Sequence, residues 1–158
     1  MRDTPPKLSI ILHNIRSVFN VGALFRTAEA VGAGKIWLTG YTPGPDTHPE
    51  KMEKTALGAQ ANLPWGRVRR AGDLLHKFRE KGVAVVALER TKKSIDYRVF
   101  KPVFPLALIV GNEVKGVSAR MSHNVDTIIE IPMRGKKESL NVVVATGIAL
   151  YELTRRWK

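Results

Sequence analysis

Three stretches of this 158-residue chain combine glycine with polar side chains suited to holding a ligand. In the first, Asn20 to Ala28, Asn20 is a good helix cap, and Arg26 lies about two turns further on, where it could reach phosphate or ribose. A capped amphipathic helix carrying one surface arginine explains that stretch equally well. The second, Ile109 to Gly116, reads as a strand entering a turn held by Gly111 and Gly116. It leaves backbone N–H groups, Asn112 and Glu113 free for a ligand. A plain tight turn accounts for the glycines, and asparagine is itself a common turn residue, but Asn112 and Glu113 together are explained less economically. The third runs from Ile131 through Met133, Ser139 and Leu140 to Asn141: a strand, a flexible loop, and a Ser-Leu-Asn step opening a helix. Ser139 or Asn141 as a simple helix cap is the competing reading.

Familiar nucleotide signatures are missing. Gly32 and Gly34 precede a strand, and Trp37 stands where a dinucleotide fingerprint needs its third glycine. No Gly-x-x-x-x-Gly-Lys-Ser/Thr sequence occurs, which argues against a P-loop nucleotidase. With no cysteine there is neither a disulfide framework nor a thiolate metal site, and a reducing cytoplasm is compatible with the composition. His13, His48, His76 and His123 lack short ligand spacing, so no metal is expected.

Five short apolar runs must position these segments: Leu8–Leu12, Lys35–Thr39, Val83–Leu88, Leu106–Val110 and Thr127–Ile131. They read as buried strands of a parallel sheet. Helical patterns alternate with them, through Val21, Leu24, Phe25, Ala28 and Val31, and again over Ala71–Lys81. Such alternation predicts an α/β fold, and the length suits one domain over 1–158. Gly32, Gly34 and Gly82 punctuate the helices. The proline-rich Gly40–Glu50 reads as a surface loop, and Thr91–Pro105 as a long basic connection. From Asn141 to Lys158 a helix apolar on almost every side turns basic at Arg155, with its start expected to be buried.

The chain carries 26 basic and 14 acidic residues, a net charge of +12, which makes a polyanion such as nucleic acid the first partner to consider. A solvated cationic face is the bland alternative. The excess concentrates between Arg67 and Lys101. No segment approaches the ~20 apolar residues of a membrane span, and Met1 to Lys7 lacks the apolar run of a signal peptide. A soluble, cytoplasmic protein is expected.

Together and in this order, the three segments resemble the signature motifs of the SpoU (TrmH-like) family of RNA 2′-O-ribose methyltransferases, in the SPOUT superfamily. The likeness spans nearly the whole chain and includes Lys54–Ala59. It implies a five- or six-stranded parallel sheet flanked by helices, with the C-terminal part threaded into a deep trefoil knot. It implies S-adenosylmethionine as donor (S-adenosylhomocysteine as product), bound without metal by Gly111, Asn112, Glu113, Gly116, Ile131, Met133, Ser139 and Leu140. The catalytic set carried over is Asn20, Arg26, Glu113, Ser139 and Asn141. Arg26 is the family's catalytic arginine by position; a guanidinium suits phosphate binding or oxyanion stabilisation better than the role of free base. The resemblance further implies transfer or ribosomal RNA as substrate and a homodimer packed through the first-motif helix and the C-terminal helix. An intramolecular core is the competing use of Val142–Leu153. Val114 departs from the family, where glycine is more usual. Two other readings stay open: a non-catalytic RNA-binding or assembly factor on the same fold, and a knotted base methyltransferase.

Overall fold

The computed structural model describes residues 4–157; Met1 to Asp3, and Lys158 of the basic tail, lie outside the described residues. Seven strands form one sheet, joined only by parallel pairings, in the order β3-β2-β1-β6-β4-β7-β5. They are β1 (Leu8–His13), β2 (Lys35–Thr39), β3 (Trp65–Val68), β4 (Ala84–Leu88), β5 (Ile95–Asp96), β6 (Leu106–Val110) and β7 (Thr127–Glu130). The helices are α1 (Val18–Ala30), α2 (Pro49–Ala56), α3 (Ala59–Asn62), α4 (Ala71–Glu80), α5 (Ala119–Ser122) and α6 (Val142–Leu153). The five expected strands form within a residue of their expected bounds.

Two strands were not expected. Both lie at the sheet's edges, where a strand buries less and carries a weaker apolar signal. Trp65–Val68 is only half-buried along its length, and Ile95–Asp96 is a two-residue strand inside the basic connection. The sheet therefore exceeds the five or six strands implied by the resemblance. The Gly40–Glu50 loop also ends early, because Pro49 opens α2 at a position where its missing N–H costs nothing.

Apolar side chains fill both faces of the sheet. Leu8, Ile10 and Leu12 of β1 join Phe25, Leu24, Met52 and Leu150 on the face covered by α1, α2 and α6. Ile11 joins Leu74, Leu75, Phe78 and Ile109 on the α4 face. Alternate residues of β1 thus enter opposite layers, so a strand buried on both sides reads as one apolar run.

After β7 the chain passes over the carboxyl ends of β4 and β6, lining one cleft with them, and returns to pack α6 against α1. α6 is not buried at its start: Thr146, Ala149, Leu150 and Leu153 face the core, whereas Val144, Ile148 and Tyr151 form an exposed stripe. Among the described residues, no helix is long and apolar enough to cross a membrane.

Candidate active site

A cleft of about 220 Å³ opens at the carboxyl ends of β4, β6 and β7, the edge where open α/β sheets place ligands. One wall is the turn from Gly111 to Val117. A Cβ on Gly111 would stand 2.4 Å from the carbonyl carbon and oxygen of Gly116, and Gly116 itself has φ +62. The turn therefore closes by backbone-to-backbone contact at a glycine, through a bridge between Asn112 and Gly116.

Asn112 holds the turn from inside. Its Nδ2 donates to the Asn14 carbonyl (3.0 Å) and Tyr41 Oη (2.9 Å), while its Oδ1 accepts from the N–H groups of Val114 (2.9 Å) and Lys115 (2.8 Å). Every polar valence of this buried amide is committed. The expectation that its side chain is free for a ligand is corrected: Asn112 lines the cleft but serves to shape it.

Glu113 is likewise committed. Its carboxylate accepts from the backbone N–H groups of Arg16 (3.0 Å) and Ser17 (3.1 Å) and from Asn20 Nδ2 (3.1 Å). Burial pushes the carboxyl up, but those donors outweigh it and hold Glu113 below the ordinary 4.5. The first and second motifs are thus tied by a carboxylate clamped to the start of α1. Asn20 is not the helix cap expected from sequence: Ser17 is the cap and accepts from the Asn20 N–H. Asn20 sits one turn inside, which lets its side chain reach Glu113. Asn20 and Glu113 thereby hold the turn against the start of α1.

The opposite wall comes from Ile131, Met133, Glu138, Ser139 and Leu140, with Val142 and Ala145 of α6. Ser139 lines the cleft, and its hydroxyl has no hydrogen-bond partner among the described residues. Asn141 does not line it; its Oδ1 caps α6 by accepting from the Val143 N–H at 2.8 Å, so the capping alternative holds. Arg26 also stands outside the cleft, exposed on α1. All eight residues expected to bind cofactor line this cleft; of the five expected to be catalytic, Glu113 and Ser139 do, Asn20 reaches it through Glu113, and Arg26 and Asn141 remain outside. Among the described residues, no three His, Asp or Glu side chains gather as metal ligands.

Sequence reasoning missed Leu88, Glu89, Arg90 and Glu130 on the cleft. Glu89 supports the floor by accepting from the Val117 N–H at 2.8 Å, and Ser94 Oγ donates to Glu130. Their one available signal was position at strand ends. Asn14, directly after β1, carried the same signal; its carbonyl anchors Asn112. Val114 needs no glycine-like backbone, since among the described residues only Asn14 and Leu57 are non-glycine positions with positive φ, and its side chain is 81% exposed.

The lining suits a sulfonium nucleoside. Leu88, Ile131, Met133 and Leu140 offer apolar faces for a base, and the carboxylates Glu89, Glu113, Glu130 and Glu138 outnumber the cations Arg90 and Lys115 around the cleft. The model of the SpoU rRNA Methylase family matches residues 7–151. The chain is 35% identical over 154 residues to the tRNA (guanosine(18)-2′-O)-methyltransferase of Aquifex aeolicus, covering 94% of this chain and 69% of that one. It is 33% identical over 153 residues to the 23S rRNA (guanosine-2′-O-)-methyltransferase RlmB of Ralstonia nicotianae, covering 96% and 59%. The AdoMet-bound rRNA methyltransferase of Sinorhizobium meliloti superposes with a TM-score of 0.88 at 31% identity, over 96% of this chain and 57% of that one. The chain spans between 48% and 69% of the length of such curated relatives.

Proposed function

The chain belongs to the SpoU rRNA methylase family, and from that membership we propose that it is an S-adenosylmethionine-dependent methyltransferase acting on a ribose 2′-hydroxyl of transfer or ribosomal RNA. The observation that carries this reading is that the second and third motifs line one cleft, while Glu113 of the second accepts a hydrogen bond from Asn20 of the first. The donor, when bound, supplies an electrophilic methyl group on a sulfonium. Gly111 and Gly116 let the turn beside it close on itself, Ile131, Met133 and Leu140 flank its base, and the Ser139 hydroxyl is available to its polar end.

An unassisted ribose hydroxyl is a weak nucleophile, so the chain must orient it and stabilise the negative charge as its proton leaves. Arg26 serves as a cation, bound to a neighbouring phosphate or beside the developing alkoxide. Its place outside the cleft is matched by a dimer. Phe19 and Arg26, seven residues apart, share one side of α1, and Phe19 is 61% exposed. With Val144, Ile148 and Tyr151 it offers an apolar surface for a second copy, which brings Arg26 to the seam. We place this homodimer in the cytoplasm with its RNA.

Incubation with methyl-labelled S-adenosylmethionine and RNA lacking the modification, followed by hydrolysis to nucleosides, tests the proposal. Label in 2′-O-methylnucleosides is expected. Label on a base would replace the ribose reading, and RNA binding without donor binding in calorimetry would leave only an RNA-binding factor. Arg26→Ala is expected to abolish turnover while donor affinity stays nearly unchanged.

A further inference from the structure

On the sheet face away from α1 and α6, a second cavity of about 490 Å³ opens between the start of α4 and α5, above His13 at the end of β1. Leu75 and Met121 from the α4-side core form its apolar base. Its polar lining is dominated by Arg70, Arg79 and Arg120, against one carboxylate, Asp73. Arg79 Nη2 donates to the Asn124 carbonyl (3.4 Å) and so ties α4 to the segment after α5. Arg70 and Arg120 are exposed, and neither guanidinium has an ion-pair or hydrogen-bond partner among the described residues.

His13 adds no charge to this cavity. Its Nε2 accepts from Asn14 Nδ2 (3.2 Å), which leaves Nδ1–H to donate to Thr39 Oγ1 (2.9 Å), and burial lowers its pKa. The positive field therefore comes from the three guanidinium groups. Cations lining one concavity repel one another until an anion lies between them, and guanidinium forks match phosphate oxygens.

The cavity's place adds a second argument. β1 and β6 are neighbours, yet the chain leaves β1 for α1 on one face and leaves β6 for α5 on the other. Crevices at such a divergence of strand ends are where α/β sheets hold ligands. The Gly111–Val117 turn separates the two sites: Lys115 and Gly116 line the cleft, and Ser118 lines the second cavity.

We propose that this arginine-lined groove is a second binding site, holding backbone phosphates of the RNA that flank the nucleotide presented to the cleft. The assignment rests on the RNA substrate proposed above. Phosphate contacts position a strand without reading its sequence, so a fluorescein-labelled RNA hairpin of arbitrary sequence is an adequate probe. Its binding would be followed by anisotropy at several salt concentrations for the wild-type protein and for Arg70→Gln combined with Arg120→Gln. The double variant is expected to bind about tenfold more weakly, with the salt slope reduced by roughly 0.7 to 0.9 for each phosphate that is no longer neutralised. Donor affinity by calorimetry should not change, and in methyl transfer KM for RNA should rise while kcat holds. Should the double variant unfold, each single variant carries the same test at roughly a threefold loss. Wild-type affinity and salt slope in the variants would overturn the groove and leave the function standing. A wild-type protein that neither binds nor methylates RNA would overturn both.

Discussion

The turn from Gly111 to Val117 commits the side chains of Asn112 and Glu113 to its own backbone and to neighbouring segments, whereas the 132–141 segment on the other side of the cleft leaves Ser139 unpartnered among the described residues and uses Asn141 to cap α6. The first wall is fixed before any ligand arrives; the second retains groups that a ligand can engage. Substitutions in the first should therefore damage folding and donor binding together. In the second, binding should suffer with little loss of stability.

The largest effect expected is from Gly111→Ala. A methyl 2.4 Å from the Gly116 backbone cannot be relieved by a side-chain rotation, and the cost should be on the order of 3 kcal/mol, read as a Tm lower by roughly 10 °C. Donor binding should be lost with it. A Tm within a degree or two of wild type would show that the turn is not rigid and would erase the contrast between the walls.

Glu113→Gln comes next, at about 1 to 2 kcal/mol, because an amide cannot serve three donors as a carboxylate does. Its pH dependence sharpens the prediction. The folded-state pKa of Glu113 lies below its ordinary 4.5; its stabilisation is therefore fully present above that value and lost as the pH falls through the depressed one. Denaturant titrations of the two proteins should converge on acidification. A stability gap that persisted below pH 3 would remove the clamp from the account.

Asn141→Ala should cost about 1 kcal/mol, the worth of a helix cap, with a smaller effect on donor affinity. Ser139→Ala should change stability by less than about 0.5 kcal/mol while weakening donor or RNA binding measurably in calorimetry. An unchanged affinity would remove Ser139 from the site. The smallest effect belongs to Val114→Gly: the side chain is exposed, so the loss of about 0.5 kcal/mol arises from the freer unfolded chain, and activity should be retained. A gain in activity would mean that valine at this position restrains the turn.

The strand, loop and Ser-Leu-Asn helix start around Ile131, Met133 and Leu140 leave a local pattern, but it was the likeness to known motifs that singled these three out, and they line the cleft. Asn112 and Glu113 were legible as site residues but not in their roles. Their partners, Asn14, Tyr41, Arg16 and Ser17, lie between 71 and 98 residues away, and no local pattern reports a hydrogen bond over that separation. Arg26 shows the reverse. Motif position singles it out, yet the helix leaves it on the exposed side of α1, because the face buried by Leu24, Phe25 and Ala28 fixes where the remaining residues point.

The sequence by itself determined the alternation of buried strands and amphipathic helices, the positions of the three motifs and the basic character of the chain, since each depends on residue type and short-range spacing. Only the tertiary structure decided that β1 and β6 lie side by side, that the segment after β7 returns over the ends of β4 and β6, and that Arg70 and Arg120, fifty residues apart in the chain, line one groove. Periodicity specifies which face of an element is apolar. Which element covers that face is settled by packing the whole chain at once.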